Sequence, residues 1–347
     1  MSGGVDSSVA AALLAEQGHD VIGLSMQLYD QTEGQTAFGS CCSLDDLYDA
    51  RKVAAAIRIP HYILNFESRF DDTVVANFVR EYVSGRTPIP CSHCNSELKF
   101  ATLLDRALGM DAAALATGHY ARIVEDDGGR FHLLRGRDPA KDQSYFLFSL
   151  TQAQMAQALF PIGELDKDTV RAHARRFGLR VAEKPDSQEI CFVPDGDYAA
   201  FVEREAPALT RPGVIVAQDG RVLGTHEGVH RFTIGQRKGL RLSSSEPLYV
   251  LQIDAEAARV TVGAKSALGR GTLTASGVSW TSGSAPPGWR RVSAQIRHHH
   301  AAGPARVRAT DAARAELAFD QPQSAVTPGQ AVVFYDGDEV VGGGWID

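Results

Sequence analysis

What most restricts the fold of this chain is the alternation of short apolar strands and helices between residues 5 and 177. Val5 to Gln17 reads as a helix, with Val5, Val9, Ala12 and Leu13 on one face and Gly18 at its C-terminal cap. Val21 to Leu28 reads as a strand. Ser43 caps a helix that carries Asp45 and Asp46 in its first turn and runs to Ile57. His61 to Phe66 is the next strand, Phe70 to Val83 and Ser96 to Leu108 are helical, and Ala113 to Thr117 is a short buried strand. Thr151 to Leu159 and Asp166 to Phe177 read as helices, with Gly178 as a stop. Such alternation predicts an α/β fold with a parallel sheet covered on both faces.

After residue 195 the texture changes. From Gly213 onward, short β-branched runs are divided by Gly, Pro, Asp and Ser. Val214–Ala217 and Arg221–Leu223 flank Gln218-Asp219-Gly220, a hairpin signal, and Val260–Val262, Val292–Ile296, Ala305–Ala309 and Ala331–Tyr335 continue the style. One or two small β domains follow the α/β part. The stretch SGSAPPG at 282–288 reads as a surface loop. At 347 residues the chain is long enough for two or three domains.

The 35 Lys and Arg against 42 Asp and Glu give a net charge of −7. A nucleic-acid binder with this balance concentrates its positive charge locally. Three such places stand out: residues 284–310, with Arg290, Arg291, Arg297, Arg306 and Arg308 and no acid; residues 230–241, with Arg231, Arg237, Lys238 and Arg241; and Arg130, Arg135, Arg137 and Lys141. Trp289, Phe232 and His298 are candidates to stack on splayed bases. A solvated face is the competing reading of each cluster. No apolar run reaches membrane-spanning length and no secretory leader is seen, so no membrane partner and a cytoplasmic address are expected. Five cysteines are too few and too odd in number for a disulfide framework.

The chemistry is carried first by Ser2-Gly3-Gly4-Val5-Asp6-Ser7-Ser8. Two glycines permit a tight turn and close backbone approach, and a helix begins at once, so its N–H groups and positive end face the loop. Hydroxyls of Ser2, Ser7 and Ser8 add donors. This is a phosphate or pyrophosphate site, although neither a GxxxxGKS/T loop nor a GxGxxG turn is present. It resembles the SGGxDSS loop of the ATP pyrophosphatases, the PP-loop superfamily, which split ATP into AMP and pyrophosphate.

Further segments narrow the resemblance. Gly85 to Asn95 with Lys99-Phe100, the turn from Thr117 to Arg122, Lys141 to Phe146, Ser187 to Phe192, Gly235 to Leu240 and Thr327 to Gln330 are collinear with motifs of the tRNA-specific 2-thiouridylases. The resemblance implies a PP-loop domain over 1–195, a small central β-rich domain over 196–265 and a C-terminal β-barrel over 266–347. It implies an ATP-dependent sulfurtransferase that adenylates the wobble uridine, position 34, of tRNA and exchanges its C2 oxygen for sulfur. ATP with Mg²⁺ is the implied cofactor set; tRNA and a persulfide sulfur-donor protein are the implied partners. The resemblance assigns the phosphates to Ser2 through Ser8, the adenine and ribose to Met26 and Gly118, and a role near Mg²⁺ to Asp6. It assigns catalysis to Cys94 and Cys191, with Cys191 as persulfide carrier and a Cys94–Cys191 disulfide left after release. It places Ile89, Pro90 and Cys91 in the target-base loop. It gives tRNA contacts to His119, Lys141, Asp142, Gln143, Arg297, His298 and Gln330, where many relatives carry Tyr at the position of His298.

Several departures leave alternatives open. Many members carry Asp near the position of Cys91; here Cys91-Ser92-His93-Cys94 is a CxxC, which with Cys191 makes zinc or an iron–sulfur cluster the second reading after thiol chemistry. The competing reading makes Cys94 and Cys191 small buried apolar groups; the Pro-rich, polar stretch around Cys94 disfavours a core, whereas Cys191, between Ile190 and Phe192, suits one. Cys41-Cys42 reads as structural. His226-Glu227-Gly228-Val229-His230 is a literal HExxH, but Gly228 weakens a helix and a zinc protease is the last choice. His298-His299-His300 is placed within a strand. In the family a strand precedes the SGGxDSS loop, whereas here Met1 abuts Ser2, so a start upstream of Met1 is expected. A tRNA-binding protein impaired by the lack of that strand, and another ATP-pyrophosphatase ligase, are the alternative functions.

Overall fold

A computed structural model describes residues 1–29, 44–186, 190–193 and 195–347. Ser43, the Cys41-Cys42 pair and residues 187–189 of the second-cysteine motif lie outside the described residues. The chain divides into two compact units. The first comprises Met1–Val74, Cys91–Gly196 and Asp338–Val340, and the second Val75–Pro90, Asp197–Gly337 and Val341–Asp347.

The first unit has the predicted α/β character. Helix α1 spans Val5–Glu16, strand β1 Gly23–Gln27, helix α2 Leu44–Ala56 and strand β2 His61–Asn65. β1 and β2 pair in parallel, Gly23 opposite His61 and Gln27 opposite Asn65. A second parallel pair joins β3 (Leu115–Ala116) to β6 (Ala158–Leu159). Between them in sequence, β4 (Ala121–Glu125) and β5 (Phe131–Arg135) form an antiparallel hairpin. Its turn is closed by Asp126 Oδ1, which accepts from the N–H groups of Gly128 and Arg130 at 2.8 and 3.0 Å. Helix α3 (Lys167–Arg176) starts where the Asp166 carboxylate accepts from Thr169 N–H at 2.7 Å. α1 and α3 share one core, in which Val5, Val9 and Ala12 meet Val170 and Ala174.

Three expectations change here. The helix expected over 151–159 ends early: a Thr151–Gln154 capping box starts Gln152–Met155, then Ala158–Leu159 extends as β6. Backbone bonds from Leu115 N–H to Gln157 O and Thr117 N–H to Leu159 O take the chain into the sheet. The helix expected over 96–108 begins sooner, as Pro90–His93, and continues as a π-helix over Cys94–Leu103 before closing as Leu104–Leu108. The expected single parallel sheet is present as two separate pairs, since among the described residues no strand bridges β1 to β3.

The second unit holds two β assemblies. β7 (Gly213–Ala217), β8 (Val222–His226), β9 (Tyr249–Asp254) and β10 (Arg259–Gly263) form a sheet of order β8-β7-β10-β9, and β7 and β8 are the hairpin expected around Gln218-Asp219-Gly220. β11 (Gly269–Trp280), β12 (Arg290–Gln295), β13 (Gly303–Ala309), β14 (Arg314–Ser324), β15 (Ala331–Asp336) and β16 (Glu339–Ile346) follow. They pair in the order β11-β14-β13-β12-β15-β16, and β16 returns to β11, closing a six-stranded barrel with no free edge. Period-two alternation builds it: along β13, Ala305 and Val307 are buried while Arg306 and Arg308 point out. Phe334 is fully buried in the barrel core against Trp280. Phe334→Ala is expected to cost about 3–5 kcal/mol, read as a shift of the barrel's unfolding transition in urea. A shift equivalent to less than about 1 kcal/mol would contradict this packing.

Candidate active site

The loop at the start of the chain enters α1 through a glycine. Gly4 is the N-cap residue and supplies no side-chain cap to the first-turn N–H groups, which lie at the positive end of the helix. Gly3 turns the loop at φ +72°, and a Cβ there would lie 2.1 Å from the Asp46 carbonyl oxygen. Gly118 lies against the same turn: its Cβ would stand 2.5 Å from Ser7 N and 2.6 Å from Asp6 C. Ser2 and Ser7 hold one another, with Ser2 N–H donating to Ser7 Oγ at 3.1 Å and the two hydroxyls 3.2 Å apart.

These residues open on a cleft of about 790 Å³, inside the range of small-molecule sites. Its polar end is lined by Ser2, Asp6, Ser7, Lys99, Thr117, Gly118, His119 and Gln143, and Met26 and the apolar residues Leu24, Leu103 and Leu115 also line it. Val5 and Ser8 do not face it. Val5 is buried in the α1 core, and Ser8, fully buried, donates its hydroxyl to Gly4 O at 2.8 Å. The donor role expected for the Ser8 hydroxyl is therefore corrected: one turn into the helix, its side chain closes the helix backbone instead.

Asp6 is held on both carboxylate oxygens. Its oxygens accept from Lys167 Nζ at 2.8 and 2.9 Å, and Oδ1 also accepts from Tyr120 OH at 2.9 Å. Burial, reinforced by the Asp6 charge, pushes the Tyr120 phenol far up, so it stays a donor. His119 is 8% exposed, its Nδ1 2.7 Å from Thr117 Oγ1 and its ring beside Phe100 and Phe160. Burial and the nearby Lys99 hold its pKa well below the usual imidazole value, so it is neutral.

The expected cysteines sit in the same unit. Cys91 is exposed in the short helix Pro90–His93, and Cys94, half-buried, opens the π-helix whose Lys99 reaches the cleft. Cys191 is half-buried next to Phe192, whose ring stands edge-on to Phe70 at 5.5 Å. Among the described residues no group of three or more His, Cys, Asp and Glu side chains converges to hold a metal.

Residues 1–195 match the family described as tRNA methyl transferase HUP domain, 199–264 the tRNA methyl transferase PRC-barrel domain, and 270–346 the aminomethyltransferase beta-barrel domain. The tRNA-specific 2-thiouridylase MnmA of Geotalea uraniireducens is 53% identical over 352 residues, covering 100% of this chain and 93% of that protein. Those of Solibacter usitatus and Geobacter metallireducens are each 54% identical, covering 100% of this chain and 98% and 95% of theirs. The chain belongs to the tRNA-specific 2-thiouridylase family.

For a member of this family, the residues expected to meet RNA are variously placed. Gln143 lines the cleft, and its Oε1 accepts from Tyr120 N–H at 3.0 Å. Lys141, partly exposed, pairs with Asp186 at 2.8 Å. Asp142 is turned inward: its carboxylate accepts from Arg135 at 2.7 Å, Gly136 N–H at 3.0 Å and both Ser144 donors, which organises the turn rather than offering a surface contact. Ile89 and Pro90 are buried in the second unit. There too, Gln330 Nε2 donates to Thr87 O at 2.9 Å, and Arg297 donates to Ser324 O at 3.0 Å. His298 lies in the turn between β12 and β13, so the histidine run is not within a strand; Gln295 Nε2 reaches back to the Arg297 and His298 carbonyls and holds the turn.

Two sequence signals lose their first meaning. The HExxH stretch is not one α-helix: His226 ends β8, Gly228 is extended and Val229–Arg231 is a 3₁₀ turn, with His226 Nε2 3.1 Å from Ala258 O and His230 Nε2 2.9 Å from Glu203. Much of the acid-free stretch 284–310 is neutralised across strands, Arg290 by Asp336, Arg291 by Asp320 and Arg308 by Glu316. Lys167, Lys184 and Asp186 carry no local signal in the sequence, and Tyr120, although inside the Thr117–Arg122 motif, gives no sign of its bond to Asp6, because the partners lie far along the chain. No helix among the described residues is long and apolar enough to cross a membrane.

Proposed function

We propose that this chain is an ATP-dependent tRNA-uridine 2-sulfurtransferase that converts the wobble uridine, position 34, to 2-thiouridine. The carrying observation is the uncapped first turn of α1 facing a cleft shared by Ser2, Ser7, Met26 and Gly118 in a chain of this family. Backbone N–H groups there meet phosphate oxygens, with Ser2 and Ser7 as added donors. ATP supplies the activation, an adenylate on uridine O2 with pyrophosphate as the leaving group. Asp6, whose oxygens accept from Lys167 and Tyr120, belongs to that loop, and Mg²⁺ bound with the nucleotide would supply charge neutralisation there.

The thiols supply the sulfur. A persulfide on Cys191, loaded by a sulfur-donor protein, attacks C2 of the adenylated base through its outer sulfur. The Cys94 thiolate then attacks the inner sulfur, breaking the S–S bond and forming a Cys94–Cys191 disulfide. Electrons return to the base-bound sulfur, AMP departs from C2, and a thiol reductant restores both cysteines. Exposed Cys91 stands on the turn that leads to Cys94 and faces the target base in this reading. Lys141, Gln143, Arg297 and His298, each partly exposed, are the proposed RNA contacts. The cytoplasm, where tRNA and ATP meet, is the proposed compartment.

The test combines unmodified tRNA, Mg-ATP and a persulfide donor. Mass spectrometry of the digested tRNA is expected to show oxygen-to-sulfur exchange at the wobble uridine, with one AMP formed per sulfur. Bound tRNA with neither exchange nor pyrophosphate release would reject the proposal.

A further inference from the structure

We infer that the outer face of the C-terminal barrel around Trp289 is an RNA-docking surface, on which an unpaired base of the tRNA substrate stacks while Arg306 meets the adjoining phosphate; this rests on the tRNA reading above. Trp289 stands immediately before β12 and is 41% exposed. The other two tryptophans, Trp280 and Trp345, are less exposed, and Trp280 packs on Phe334. Trp289 does not join the buried cluster that fills the barrel. Cations hold its ring instead. The guanidinium carbons of Arg306 and Arg308 lie 5.1 and 4.7 Å from the ring centroid, within the range of cation–π attraction.

Strand pairing sets these groups on one face. Along β13, Arg306 and Arg308 alternate with the buried Ala305 and Val307, so both point outward. Arg308 faces Glu316 of β14 and pairs with it at 2.7 Å. Arg291 of β12 pairs with Asp320 at 3.0 Å. Arg306 is different. Its neighbours across the two flanking strands are Arg291 and Ala318, and among the described residues no carboxylate comes within ion-pair distance of it. Like charges directly opposite one another weaken a sheet, so the Arg291–Arg306 juxtaposition costs the barrel stability. The loop that leads to Trp289, residues 282–288, carries no charge of either sign. The patch is thus an open aromatic ring beside an exposed, uncompensated cation, in a chain whose net charge is −7.

A nucleotide offers what this pair of groups can hold, a flat π-face next to a negative charge. Bases inside an A-form stem are stacked on their neighbours and hide their faces, so the docked base comes from an unpaired stretch of the tRNA. Stacking on a ring tolerates any base, and Arg306 reads only the backbone. The surface therefore adds affinity without selecting sequence. An acidic peptide would satisfy Arg306 and leave the ring in water. A merely solvated face accounts neither for the exposed indole nor for the two facing arginines.

The experiment follows the tryptophan emission of the full chain during titration with unmodified tRNA, at several salt concentrations. Stacking is expected to quench the emission. Trp289→Phe is expected to lose most of the quench while binding tRNA within about twofold, because an aromatic face remains. Trp289→Leu is expected to weaken binding about tenfold. Arg306→Gln is expected to lower the slope of log affinity against log salt by about 1. Arg306 lies outside the core, so this variant carries the test even where Trp289→Leu disturbs the barrel. Wild-type affinity in Trp289→Leu together with a wild-type slope in Arg306→Gln would overturn the surface. Equal quenching by inorganic polyphosphate, which has no base to stack, would overturn it too. The sulfur-exchange assay on the wild type separates the two readings. Failed exchange with a quench that depends on Trp289 rejects the proposed function alone; normal exchange with affinity and slope unchanged in the variants rejects the surface alone.

Discussion

Cys191→Ala is expected to abolish sulfur exchange on tRNA, a loss on the order of 10³-fold or more, while tRNA-dependent pyrophosphate release continues. Adenylation needs the phosphate loop and the bound uridine, neither of which includes this thiol. Sulfur delivery has no other carrier in the proposed sequence. Cys94→Ala is expected to show a different defect. It still acquires a persulfide on Cys191, visible as an added sulfur in the intact mass, but turnover fails because nothing resolves the mixed disulfide with the base. The double variant should be no slower than Cys191→Ala, since residues acting in one sequence are not additive. Near-normal exchange in Cys191→Ala would refute the carrier role. Loss of pyrophosphate release with it would mean that the cysteine serves adenylation or folding instead.

Gly118→Ala is expected to weaken nucleotide binding about 100-fold, because a small displacement of a positioned group costs that much. The added methyl would lie 2.5 Å from Ser7 N and 2.6 Å from Asp6 C, both backbone atoms that cannot swing aside as a side-chain tip would. The first turn of α1 has to move, taking the phosphate N–H donors with it. Gly271→Ala in β11 is the control: no atom would lie within 4 Å of the added methyl, so binding should be unchanged. Calorimetric titration with an ATP analogue reads both variants. Unaltered affinity in Gly118→Ala would show that nucleotide does not rest on this turn.

The site was legible in sequence wherever its residues are contiguous. The Gly3-Gly4 turn, the helix that follows and the Ser2 and Ser7 hydroxyls form a local arrangement, and the structure keeps it. The inward turn of Ser8 was not legible, since its direction depends on the cores that α1 joins. Tyr120 and Lys167 reach Asp6 across sequence separations of 114 and 161 residues, and no local pattern announces either. Asp142 stands in a motif tied to RNA by resemblance, yet its carboxylate is satisfied by Arg135 and Ser144. The β4–β5 hairpin and the switch from helix to strand at Ala158 escape a local reading because sheet pairing with distant segments outweighs local propensity.

Charge shows the same division. Residues 284–310 contain no acid, so the sequence presents them as a basic stripe. In the barrel, Arg290, Arg291 and Arg308 meet acids from β14 and β15, and the guanidinium groups of Arg306 and Arg308 lie 5.1 and 4.7 Å from the Trp289 ring centroid. The sequence by itself determined the periodicities that specify an α/β part followed by β assemblies, the phosphate loop, and the motifs of the family. Those signals are carried by neighbours along the chain, where spacing sets which side chains share a face. Only the tertiary structure decided which hydroxyls face the cleft, which charges are already neutralised, and that one shielded lysine joins the phosphate loop to Asp186, because burial and ion pairing are set by residues that meet only when the chain is folded.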